Sequence, residues 1–197
     1  MLGSITSLGE RSRGRHWVVT YAWFVIGALA GGVVLAGALV AVRALGSLLP
    51  AGVALAVGIL AAVVLVAAAA LGRTPPSLER QVDHRWLDEF RGWVVGAGFG
   101  FQLGTGVMTR IPSFALYLLF LCALLGAAWP ALVVAGILYG ALRGLAAAPG
   151  GLVRRPPDLQ RLSHMIARSE SVATKLGRAT DVAAAVCVLA VLLLAPL

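Results

Sequence analysis

The sequence predicts an all-α membrane bundle of about six hydrophobic helices with two interfacial amphipathic helices, and three observations predict it. First, 60% of the residues are hydrophobic, 12% are charged and mean hydropathy is +0.93, whereas soluble domains carry about 25% charged residues. Second, apolar runs occupy 17–42, 49–72, 93–109, 113–129, 131–142 (extending toward 147) and 180–197, and about 17–20 such residues carry a helix across hydrocarbon. Third, glycines recur every four residues, as Gly92, Gly96, Gly100 and Gly104 and again as Gly136, Gly140 and Gly144. Together these exclude a water-soluble globule.

Taken in order, residues 1–16 form a basic tail with Arg11, Arg13 and Arg15, which the positive-inside tendency places in the cytoplasm. The run from Trp17 continues for more than twenty residues to Arg43, too long for the core of a secretory signal, so it is read as a retained first span opening one membrane domain over 17–197. A second span covers 49–72. Two connectors then share the pattern RxPP[S/D]LxR, at 73–80 and 154–161. In each, the double proline ends the preceding helix, and Ser77 or Asp158 caps an amphipathic helix over 77–91 or 158–177. Their apolar stripes are Leu78, Val82, Trp86 and Phe90, and Leu159, Leu162, Ile166, Ala173 and Leu176. Such helices lie in the headgroup plane, and Trp86 and Trp93 suit its aromatic belt.

The duplicated connector groups the helices three and three, with the second group inverted. Six full spans would put the basic 154–178 connector outside, against the positive-inside tendency; a re-entrant 93–109 would return it to the cytoplasm. The i+4 ladder favours a continuous helix there. The side of the second connector stays open at this level.

Residues four apart lie nearly above one another on a helix, so each glycine ladder is a face without side chains. Lipid already solvates Leu and Val, so this close backbone approach is what lets membrane helices associate. Gly98, Gln102 and Gly106 add a line with a polar centre. Gln102, the one amide at mid-membrane depth, is either a substrate contact or an interhelical clasp. Thr105 and Thr109 can bond back to their own helix, and Tyr139, beside Gly140, can line a path or pack. The substrate-path candidates are therefore Gln102, Thr105 and Tyr139.

No Asp, Glu, Lys, Arg or His falls inside an apolar run before its ends, Arg43, Arg110, Arg143 and Asp181 being the nearest. Proton-coupled carriers and intramembrane hydrolases need such groups at depth. With no serine triad, HExxH or P-loop, and with GAGFGFQLGTG lying in an apolar run without a preceding strand, the expectation is a non-enzyme with neither cofactor nor metal. Cys122 and Cys187 form neither a disulfide framework nor a CxxC, and His84 and His164 read as solvated interfacial residues. The net charge of +8 sits at membrane edges, which points to anionic lipid headgroups and away from nucleic acid.

The small size, six apolar helices and three-plus-three grouping resemble the superfamily of small membrane exporters and thiol-electron carriers that includes the lysine exporters and the cytochrome-c-biogenesis membrane protein. The resemblance is architectural, covers most of the chain and implies a multi-pass protein of the plasma membrane. The electron carriers place proline-associated cysteines in the first and fourth helices, whereas Cys122 falls in the fourth and Cys187 in the sixth without adjacent proline, so no functional residue is carried over. Two functions fit. One is a transporter moving a small solute through the glycine-packed bundle, with Gln102 near the path. The other is a structural or accessory subunit whose ladders dock a membrane-protein partner or a second copy.

Overall fold

The computed structural model describes residues 6–76, 89–106, 111 and 113–194. Every regular element among them is helical: α1 (Ser7–Ser12), α2 (Trp17–Gly46), α3 (Ala51–Ala70), α4 (Gly92–Thr105), α5 (Ala115–Leu124), α6 (Trp129–Leu145), a 3₁₀ turn (Ala148–Leu152) and α7 (Pro156–Leu194). Four stretches are long and apolar enough to cross a membrane, namely α2, α3, Trp129–Leu152 and the Ser171–Leu193 part of α7. The chain thus has the helices of a multi-pass membrane protein. Of the runs at 93–109 and 113–129, the described helices are α4 with 14 residues and α5 with 10. At about 1.5 Å per residue they cover roughly 21 and 15 Å, less than the about 30 Å of a hydrocarbon core. Glycines stop both helices: Gly106 (φ 70°) caps α4 and Gly126 (φ 86°) follows the cap of α5, in the left-handed region where a Cβ is penalised.

The chain divides into two compact units. The first comprises Met1–Leu35, Leu78–Arg110 and Ile137–Ser171. Its buried centre is Phe24, Val95, Phe99 and Ala147, with Trp17, Tyr21 and Leu103 packed against it. Residues 1–16, expected as a basic tail, hold α1 where they are described. Thr6 caps α1 by accepting from the Gly9 amide at 3.1 Å, and Leu8 N donates to Val153 O at 3.0 Å, tying α1 to the 3₁₀ turn. The physical reason is Glu10, which is fully buried: its Oε2 accepts from Thr20 Oγ1 at 2.6 Å and its Oε1 meets Arg13 Nη1 at 3.4 Å. A buried carboxylate demands such partners, and they fix α1 to the start of α2.

The second unit comprises Ala36–Ser77, Ile111–Gly136 and Val172–Leu197. Here α3 packs on α5. Asp181 of α7 is buried, and its Oδ2 accepts from Phe114 N, the N-cap residue of α5, at 3.0 Å. Arg43 Nε donates to Ala127 O at 2.9 Å just past the end of α5, and the Tyr117 hydroxyl donates to Pro76 O. Polar groups at both ends of α5 are therefore satisfied from other elements of the same unit.

Two boundaries differ from the sequence expectation. The amphipathic helix over 158–177 and the apolar helix over 180–197 are one continuous helix, α7, because no proline follows Pro157 before its end and Gly177 sits in open space that imposes no turn. Asp158 is not the N-cap either. The helix starts at Pro156, and Asp158, its third residue, accepts from the amides of Arg155 at 2.9 Å and Arg154 at 3.2 Å. This is the reaching-back half of a capping box, with proline at the first helical position where its missing N–H costs nothing. Of the matching connector at 77–91, all but 89–91 lies outside the described residues.

Candidate functional site

The glycine stripe of α4 lies against α2 within the first unit. A Cβ at Gly96 would overlap the carbonyl of Thr20, one at Gly100 that of Phe24, and one at Gly104 that of Ala28. The contact is reciprocal. A Cβ at Gly27 would strike the backbone of Ala97, and one at Gly31 would come within 2.7 Å of Thr105 N. From another side, a Cβ at Gly140 of α6 would lie 2.9 Å from Gly32 Cα and overlap Ala28 O, while one at Gly144 would be 3.1 Å from Ala28 Cβ. Gly92, at the mouth of the seam, faces Thr20 Oγ1 at 2.9 Å from the added Cβ. In the second unit, Gly136 meets Ala36, with 2.7 Å to its nitrogen. The α2 backbone from Thr20 to Gly32 is thus touched by backbone from both α4 and α6.

The path candidates Gln102, Thr105 and Tyr139 are all described, on α4 and α6. Gln102 is half-buried on α4, and its backbone carbonyl accepts from the buried Thr105 hydroxyl at 3.0 Å, so Thr105 bonds back to its own turn. Tyr139 is half-buried and its ring faces the Arg143 guanidinium one turn on, 5.8 Å from the ring centroid. The Tyr139 hydroxyl is buried with no hydrogen-bond partner among the described residues. Gln102 and Thr105 therefore share one turn, while Tyr139 has Arg143 for its neighbour. The stripe between α4 and α2 is filled by backbone and leaves no width there for a solute. Both cysteines are free thiols, Cys122 half-buried and Cys187 exposed, and no group of three His, Cys, Asp or Glu among the described residues is placed to hold a metal ion.

Not every glycine is covered. Within the spans Gly37, Gly52 and Gly177 have nothing among the described residues within 4 Å of an added Cβ, and of these Gly37 is exposed and lies on the same helix as the seam. Ala38, Ala41 and Ala44, on the following turns of α2, are exposed as well. Two other spans also contribute little to the interior: 17% of the α3 window and 11% of the Ser171–Leu193 window are buried.

Sequence reasoning passed over Glu10, Asp181 in its bonding role, and Gly37. For Glu10 a signal existed, since it is the lone acid beside Arg11 and Arg13. Gly37 carried none, because spacing alone cannot tell a covered glycine from an open one. The fold and site together define a helical, multi-pass membrane protein with a backbone-to-backbone packing seam. No protein family, curated protein or solved structure matches the chain.

Proposed function

We propose that this protein is a non-catalytic accessory subunit of a larger membrane complex, joined to a transmembrane helix of another polypeptide through the Gly37 face of α2. The observation that carries this reading is the open Gly37. Along the seam the glycines of this chain mark where a second backbone comes close; Gly37, with exposed Ala38, Ala41 and Ala44 beside it, offers the same kind of surface uncovered. Facing lipid, small residues give up dispersion contacts that Leu or Ile would make; facing a helix, they allow closer packing. The site lies in the plasma membrane on this reading, with Arg11, Arg13 and Arg15 holding the N-terminus in the cytoplasm.

Native mass spectrometry of the tagged chain, extracted gently from its own membranes, tests it. The expected particle contains a second polypeptide at fixed ratio, and Gly37→Leu releases that polypeptide while helicity is kept. A wild-type chain recovered alone or only with its own copies, or a Gly37→Leu particle of unchanged mass, overturns the proposal. A solute-carrier reading draws on the buried Tyr139 hydroxyl, a polar group available to a passing molecule. Solute flux into vesicles holding the purified chain, falling on Gln102→Ala, would replace the subunit reading with that one.

A further inference from the structure

A basic cleft opens where α1 meets the start of α2. It has a volume of about 490 Å³ and is lined by Ser7, Arg11, Arg15, His16, Trp17 and Arg154, among others. All lie in the first unit. Three arginines and a histidine line it, and no Asp or Glu does among the described residues. The two acids closest in sequence are engaged elsewhere: Glu10 is buried on Thr20 and Arg13, and the Asp158 carboxylate accepts from the backbone amides of Arg154 and Arg155. Arg11 and Arg154 are exposed, and no salt bridge among the described residues involves either.

The cleft is also shaped. Trp17 stands on Gly151, where a Cβ would collide with the indole ring, and stacks on Tyr21 with centroids 4.8 Å apart and planes 7° apart. The chain turns at Gly14 after α1, and Arg15 is tethered by its Nη2, which donates to Phe90 O at 2.7 Å. Trp17 opens the first span, which sets the cleft at headgroup depth, where indoles concentrate. Guanidinium forks match phosphate oxygens geometrically as well as in charge. The volume lies in the roughly 300–1,000 Å³ range of small-molecule sites, more than a bare phosphate fills.

We propose that this cleft binds a phosphate ester, its phosphate held by Arg11 and Arg154 and its organic part lying against Trp17. An anionic phospholipid headgroup and a soluble phosphate ester share this chemistry, and two arms of one experiment separate them. The full chain in mild detergent is titrated with phosphatidylglycerol, with phosphatidylcholine as reference, and bound lipid is counted by native mass spectrometry. In the second arm, glycerol phosphate and inorganic phosphate are added without anionic lipid, and binding is read by calorimetry.

Retention of one phosphatidylglycerol per chain, weakened about tenfold by each of Arg11→Ala and Arg154→Ala, supports the site and assigns a lipid headgroup. Saturable binding of glycerol phosphate with the same sensitivity, and no preference for phosphatidylglycerol, supports the site and assigns a soluble ester. Arg161→Ala, outside the cleft, leaves either result unchanged, and far-ultraviolet circular dichroism reports that each variant is folded. The proposal is overturned if neither ligand binds, or if the Arg11 and Arg154 variants bind as wild type does. It stands independently of the Gly37 reading, because its variants are in a different unit from Gly37.

Discussion

Replacing Gly100 by alanine adds a single methyl group, and its cost can be worked from the seam. The new Cβ would lie 2.8 Å from Phe24 C and 2.9 Å from Ala28 N, with the Phe24 carbonyl oxygen nearer still. Ordinary heavy-atom contact is about 3.5 Å or more, so α4 and α2 must separate by at least about 0.7 Å. A gap of about 0.5–1 Å forfeits between a quarter and a half of each contact's attraction, and the neighbouring Gly96 and Gly104 contacts loosen with it. Overpacking of this kind costs about 1–3 kcal/mol, and the better helix propensity of alanine offsets up to about 1 kcal/mol. With the full offset the net is roughly 0–2 kcal/mol, which for a chain of this size is up to about 8 °C in Tm. Gly37→Ala is the matched control, since its Cβ meets nothing within 4 Å among the described residues and the propensity gain stands alone. The assay is thermal unfolding in mild detergent followed by far-ultraviolet circular dichroism. Gly100→Ala should melt lower than wild type and Gly37→Ala level with it or slightly higher. Equal shifts for the two variants would refute the claim that the α4 stripe is held by α2 backbone.

Asp181→Ala should lower stability by about 1–3 kcal/mol, because it strips the acceptor from the buried Phe114 amide, whereas Asp181→Asn keeps an acceptor oxygen and should cost less. Thermal melts of the two variants check this, and identical losses would show that the hydrogen bond is not what holds α7 to the start of α5. Gly151→Ala should push the Trp17 ring away, since two of its ring carbons would lie 2.7 and 2.9 Å from the new Cβ, and so break the stack on Tyr21. Near-ultraviolet circular dichroism reads the stack, and an unchanged spectrum would contradict the seating of Trp17 on Gly151.

How much of this was legible in the sequence depends on what each signal encodes. Apolar runs encode spans, and α2, α3, Trp129–Leu152 and Ser171–Leu193 correspond to four of them. Hydropathy does not encode where a helix stops inside an apolar run, and α4 and α5 are short because left-handed glycines end them. A change from polar to apolar composition looks like a boundary, yet the helix hydrogen bonds of α7 run through it, because composition shifts the helix's environment and not its backbone. The four-residue spacing of Gly92, Gly96, Gly100 and Gly104 identifies a bare face but not what covers it. The opposing residues Thr20, Phe24 and Ala28 keep the same spacing but differ in size, and the small-residue mark of the partner lies beside them in Gly27 and Gly31. Gln102 and Tyr139 stood out as polar residues in apolar runs, and polarity alone could not say that Tyr139 neighbours Arg143.

Gly37 carries weight because of its angle on α2. At about 100° per residue it lies roughly 120° around the helix from Gly31, which faces α4, and roughly 140° from Gly32, which faces α6. No helical slippage of a few degrees brings it into either contact. Its own exposure and that of Ala38, Ala41 and Ala44 leave the face apolar, shallow and nearly free of side-chain entropy to lose on docking. A helix that met only lipid there would be better served by the branched residues this chain uses freely elsewhere, such as the exposed Val33 and Val34 one turn earlier. The contrast between those valines and the small residues that follow supports a helix-docking role for this stretch, and it is why Gly37→Leu, harmless to the fold, is the substitution that tests the proposed partner.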